Sequence, residues 1–175
     1  MSVWEAVGTG FDGGFVPLGQ ERVGLGVMRE LNEEERQWRV GRCWEVLEAL
    51  GPGAWVEAHE GTPAVGCQVG SSGTMSTEVF KNRAFVELSV AEQRMVLLMR
   101  ALVGRPPLVL LDEVWSGMDE GMVRAARKYL RAGGVGEEQA VVVITHWEEE
   151  VPWGTKDGVK RFMLQAGEGR VVTGS

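Results

Sequence analysis

Two acidic residues, Asp112 and Glu113, stand directly after the apolar run Leu108-Val109-Leu110-Leu111, and a histidine, His146, follows the β-branched run Val141-Val142-Val143-Ile144-Thr145. A strand that ends in two carboxylates sets them at the carboxyl edge of a sheet, where open α/β folds bind their ligands. In phosphoryl transfer such a pair divides its work. The first acid helps hold Mg²⁺, and the second orients or deprotonates the attacking water. Taken alone, the same residues also suit a solvated strand end that caps the next turn.

The elements that must position these groups are legible around them. Ser89 precedes Glu92 by three residues, a capping box, and Met95, Leu98, Met99 and Leu102 follow at helical spacing until Gly104 and Pro106-Pro107. Leu108 to Leu111 and Ala140 to Ile144 read as strands buried on both faces, and Met122, Ala126, Tyr129 and Leu130 mark the helix between them. Strand, helix, strand implies a right-handed parallel crossover. Upstream, Asn32 and Glu35 form a second capping box, and Val40, Trp44 and Leu47 repeat on one helical face until Gly51-Pro52. Residues 1–30 are rich in glycine and read as loop after a short helix near Val3 to Val7. The run from Gly61 to Thr77 has turn residues and no period. Val159 to Gln165 and Arg170 to Val172, around a turn at 166–169, read as a hairpin.

Composition narrows the classes. The 175 residues are 44% hydrophobic and 25% charged, which suits one globular core. A net charge of −7 leaves no electrostatic footprint for nucleic acid or an anionic membrane. No apolar run approaches the length of a membrane span, and no secretory or transit segment opens the chain. A cytoplasmic location is expected. Cys43 and Cys67 are too far apart for a CxxC motif and read as reduced and structural. His59 reads as a surface residue. The seven tryptophans are scattered without accompanying basic residues, so packing accounts for them better than base stacking. Glu148-Glu149-Glu150 reads as a helical first turn.

Residues 86–119 resemble the ATP-binding cassette (ABC) ATPases. Leu88-Ser89-Val90-Ala91-Glu92 stands where that family has its LSGGQ signature, and Leu108 to Glu113 matches its Walker B strand. Ser116-Gly117-Met118-Asp119 looks like its D-loop, and His146 matches its switch histidine. The stretches Glu92-Gln93-Arg94 and His146 to Pro152, with Ser2 to Gly14, look most like the soluble cassettes of the molybdate-operon and photorepair type. The resemblance implies an α/β, P-loop NTPase-like fold, with a helical signature subdomain over 1–104 that includes an inserted loop near 61–82. A partial RecA-like core over 105–175 follows, with a C-terminal hairpin. It also implies roles: Glu113 and His146 in catalysis, Asp112 at Mg²⁺, and Ser89, Glu92 and Asp119 at ATP. The partner it implies is a second cassette in a head-to-tail dimer.

The departures are informative. Val90 and Ala91 replace both signature glycines, whose missing side chains let backbone N–H groups approach a phosphate. Val114 replaces the proline that usually follows the acid pair. Ser89 is placed either to cap its helix or to reach phosphate. No GxxxxGK[ST] occurs, and none of the lysines follows a glycine. The expected Walker A strand is therefore absent, and it would lie upstream of Met1. The resemblance thus implies a fragment of an ATP-hydrolysing cassette, inactive alone. The alternative is a stand-alone regulatory or interaction protein derived from such a cassette.

Overall fold

The structure is a computed structural model that describes residues 1–12, 19–24, 27–57, 75–154, 158–165 and 167–172. The expectations for His59 and Cys67 lie outside these residues, as does most of the run from Gly61 to Thr77. The chain runs α1 (Val3–Gly8), β1 (Gln20–Gly24), β2 (Val27–Glu30), α2 (Glu33–Leu50), α3 (Pro52–Glu57), α4 (Thr77–Asn82), α5 (Val90–Val103), β3 (Leu108–Asp112), α6 (Glu120–Tyr129), β4 (Ala140–Ile144), β5 (Arg161–Gln165) and β6 (Glu168–Val172). It is a mixed helix and strand fold with a small parallel sheet.

The helices start where their caps place them. Ser2, Asn32 and Ser89 each accept a bond from the backbone N–H three residues on, and the Glu5, Glu35 and Glu92 carboxylates each accept one from the cap's own N–H. Each box satisfies two donors that the first helical turn leaves open. α5 then buries Met95, Val96, Leu98, Met99, Leu102 and Val103, and each such side chain contributes about 1.5–3 kcal/mol relative to exposure. α1 lies against the end of α5. A Cβ on Gly10 would sit 2.0 Å from the carbonyl oxygen of Arg100, so only glycine allows that approach.

α2 faces the core differently from the sequence expectation. Val40 is exposed, whereas Arg39 and Arg42 are buried among Cys43, Val46, Leu47 and Leu50. Two guanidinium groups are tolerated there because each is paired. Arg39 Nη1 donates to Asp12 Oδ2 at 2.6 Å, and its guanidinium stacks over the Phe11 ring. Arg42 pairs with Glu45 and reaches the carbonyls of Leu102 and Val103 at the end of α5.

Three further expectations are corrected. Residues 20–30 form an antiparallel hairpin, β1 with β2, rather than loop. Residues 77–82 of the expected inserted loop are helix, started by Ser76. β3 and β4 are parallel and in register from Leu108↔Ala140 to Asp112↔Ile144, as expected, but they are covered on one side only. Val109 and Leu111 point into the core, while Leu108, Leu110, Val142 and Ile144 are exposed. The C-terminal hairpin forms as β5 with β6. One buried apolar cluster runs from α1, α2 and α5 through β3 to α6.

Candidate functional site

The acid pair sits where the parallel sheet ends. Asp112 closes β3 and is exposed, and Glu113 begins the turn to α6. The Glu113 N–H donates to the carbonyl of Ile144 at 3.0 Å, so the acid turn is tied to the last residue of β4. Glu113 has a φ of 46°, a left-handed conformation shared among the described non-glycine residues only with Arg105. Such a conformation costs a non-glycine residue of order 1–3 kcal/mol and persists only where its surroundings hold it.

The turn holds it in three places. Ser116 N–H bonds to the Glu113 carbonyl at 3.1 Å, and Met118 N–H bonds to the Trp115 carbonyl at 3.1 Å. Gly117, with φ at 77°, completes the reversal. Asp119 then caps α6 by accepting from Met122 N–H at 2.8 Å. Arg94, in the second turn of α5, lies alongside Gly117, with its Nε 3.7 Å from where a Cβ would stand.

His146 reaches the acid turn from β4. Its Nε2 is 3.8 Å from Glu113 Oε1, beyond hydrogen-bond distance, and its side chain is 85% exposed. Glu113 Oε1 has no hydrogen-bond partner among the described residues, although the Glu113 side chain as a whole is 39% exposed. Because the side chain is partly exposed, the carboxylate can take a donor from water or from a ligand. The segment after His146 folds on itself. Thr145 Oγ1 bonds to Glu150 Oε2 and accepts from Trp147 N–H at 3.1 Å.

The six residues singled out from the sequence fall into two groups. Asp112, Glu113, His146 and Asp119 lie at one sheet edge or in the turn that leaves it. Ser89 and Glu92 are at the start of α5, where their bonds run to each other and, through Glu92 Oε1, to Arg83 Nη1 at 2.7 Å. Of the two roles open to Ser89, capping is the one its hydroxyl performs here. Among the described residues no cluster of three or more His, Cys, Asp or Glu side chains could hold a metal by itself. At the sheet edge Asp112 and Glu113 offer two adjacent carboxylates and no complete set of metal ligands. The sequence reading missed Trp115, which is 5% exposed and donates its indole N–H to the Glu150 carbonyl at 2.9 Å. Its only sequence signal is its place two residues after Glu113.

No helix among the described residues is long and apolar enough to cross a membrane. The chain matches no protein-family model. It is 40% identical over 72 residues to an uncharacterized ABC transporter ATP-binding protein of Schizosaccharomyces pombe, which is 41% of this chain and 15% of that one. It is 37% identical over 67 residues to a zinc uptake system ATP-binding protein of Listeria innocua, 38% of this chain and 26% of the other. With an Fe(3+) ions import ATP-binding protein of Serratia marcescens it shares 39% identity over 64 residues, 37% of this chain and 19% of the other. The chain thus spans roughly a quarter or less of the length of these relatives. Over about two fifths of its length it is related to ABC ATP-binding proteins of fungi and bacteria.

Proposed function

We propose that the chain supplies the carboxylate half of an ATP-hydrolysing cassette, the other half being a phosphate loop carried on a longer or separate polypeptide. The observation that carries this is Glu113, partly exposed with Oε1 unpartnered, in a left-handed turn at the edge of a parallel sheet, opposite His146. The relationship to ABC ATP-binding proteins supports the same reading.

In this reading Asp112 contributes a carboxylate to Mg²⁺, and its exposure leaves it accessible for that role. Glu113 positions the attacking water and takes up its proton, while His146 donates a hydrogen bond to the terminal phosphate. Asp119 caps α6 and fixes the far end of the turn that carries Glu113. Ser89 and Glu92 form the start of the signature helix, which faces the nucleotide of a second cassette in a head-to-tail dimer. Bound Mg²⁺ and ATP would supply the electrophilic phosphorus and the charge neutralisation that the chain's own side chains lack. Residues 1–104 act as the helical unit and 105–175 as the acid-bearing core. The cytoplasm is the compartment of action.

Two measurements test this. The isolated chain is expected to turn over no ATP and to bind Mg-ATP weakly, because backbone phosphate donors and a phosphate-loop lysine are missing from its sequence. Submicromolar affinity by isothermal titration would sink that expectation. In a cassette completed with a GxxxxGK[ST] segment, Glu113→Gln should lower turnover about 10²–10⁴-fold with ATP affinity retained, whereas Asp112→Asn should also weaken Mg²⁺-dependent binding. Equal effects on affinity would contradict the division of roles.

A further inference from the structure

Three consecutive carbonyl groups that follow the His146 segment are each held by a side chain from the unit after Glu113. Trp115 Nε1 donates to Glu150 O at 2.9 Å, Arg127 Nη2 to Val151 O at 3.4 Å, and Arg131 Nε to Pro152 O. Arg127 is on α6 and Arg131 just beyond it. Trp115 differs from the two arginines in that it is a buried member of the core cluster, and it is two residues from Glu113.

Glu150 is also bonded to the two residues that flank His146. Its N–H donates to the Trp147 carbonyl at 3.1 Å, and its carboxylate bonds to Thr145 Oγ1, which in turn holds the Trp147 N–H. A line of bonded groups therefore runs from the Glu113 turn through the Trp115 indole to Glu150, and from there to the residues on both sides of His146. The imidazole itself is exposed, with no hydrogen bond of its own to Glu113 at 3.8 Å. Its distance from Glu113 depends on its backbone, which is held on the β4 side by the Glu113 N–H bond to the Ile144 carbonyl and on the far side by that line.

We infer that Trp115 is a positioning residue: its indole N–H···O=C bond to Glu150 docks the segment bearing His146 onto the turn bearing Glu113 and fixes the separation of the two. The catalytic meaning of that separation rests on the ATPase reading above, but the docking does not. Indole suits the task because it fills a core position and also presents one directional donor at its rim. Phenylalanine would keep most of the packing and lose the donor.

The test is Trp115→Phe in the full chain, read by NMR hydrogen exchange and by the ring signals of His146. Loss of one hydrogen bond should speed amide exchange at Trp147 and Glu150 roughly tenfold. The His146 ring signals should move, while exchange in α2 and α5 stays unchanged. Unchanged exchange at Trp147 and Glu150 overturns the inference, and so does an equal rise in all three regions, which would mark a merely structural residue. If the variant does not fold, the wild-type indole N–H decides. It should exchange at least about 100-fold more slowly than that of the exposed Trp147, and comparable rates overturn the inference. In the completed cassette Trp115→Phe should lower kcat with KM for Mg-ATP unchanged. A cassette whose wild type shows no turnover would count against the ATPase reading and leave the exchange result standing.

Discussion

Arg39 and Asp12 form an ion pair at 2.6 Å with side chains only 8% and 5% exposed, which joins α2 to the residues that follow α1. Arg39 also donates to the Gln20 carbonyl, so the β1–β2 hairpin is held at the same point. Removing one member leaves a buried charge without its partner. Asp12→Ala is expected to cost about 3–5 kcal/mol in urea unfolding, and the double change Asp12→Leu with Arg39→Met much less. A loss under about 1 kcal/mol for the single variant would show that water already reaches the pair.

Cys43 is fully buried, and burial pushes its thiol up to about 12. With Cys67→Ser in place, the native protein should react with a thiol reagent at pH 8 only as fast as it opens, and at least about 100-fold faster in denaturant. The pKa is raised on folding, so the thiol's contribution to stability is complete below the ordinary thiol value and declines as pH rises toward about 12. Fast labelling of folded protein would place Cys43 nearer solvent than its packing allows.

Glu35 is held below its ordinary value first by Arg29 and then by the Asn32 N–H. A depressed folded value means that its stabilisation is present above the unfolded carboxylate value and lost as pH falls through the folded one. Glu35→Gln should flatten the acid limb of the thermal stability profile and leave neutral-to-basic pH dependence alone. An unchanged acid limb would mean that the capping box carries no net charge effect.

Gly10→Ala tests the contact between α1 and α5. The new methyl would collide with the Arg100 carbonyl, and overpacking of this kind costs about 1–3 kcal/mol. A variant as stable as the parent by denaturant midpoint would show that α1 can move aside.

The helix starts were legible because Asn32-x-x-Glu35 and Ser89-x-x-Glu92 state a local rule that tertiary structure had no reason to override. The parallel pairing of β3 and β4 was equally clear from the order of the elements. Their one-sided cover was not, since Leu108 and Leu110 are as apolar as Val109 and Leu111 although only the latter two are buried. The β1–β2 hairpin is not legible in the sequence because all four residues of β2 are exposed, leaving no alternation to read. The face of α2 departs from hydropathy at Val40 because burial there follows the ion pairing of Arg39 and Arg42. Of the site, the residue types at the sheet edge were readable. Trp115 was not, because one donor among scattered tryptophans has no pattern.

β3 and β4 end flush, with Asp112 paired to Ile144, so the two loops leave the sheet from the same level. The sheet therefore acts as a gauge for the gap between Glu113 and His146. One residue inserted into β4 alone would turn every later side chain to the opposite face and carry the imidazole away from the carboxylate. Two would restore the facing but overshoot it by about 6–7 Å. Insertions matched in both strands would leave the gap unchanged, so strand length can drift in this fold only as a pair.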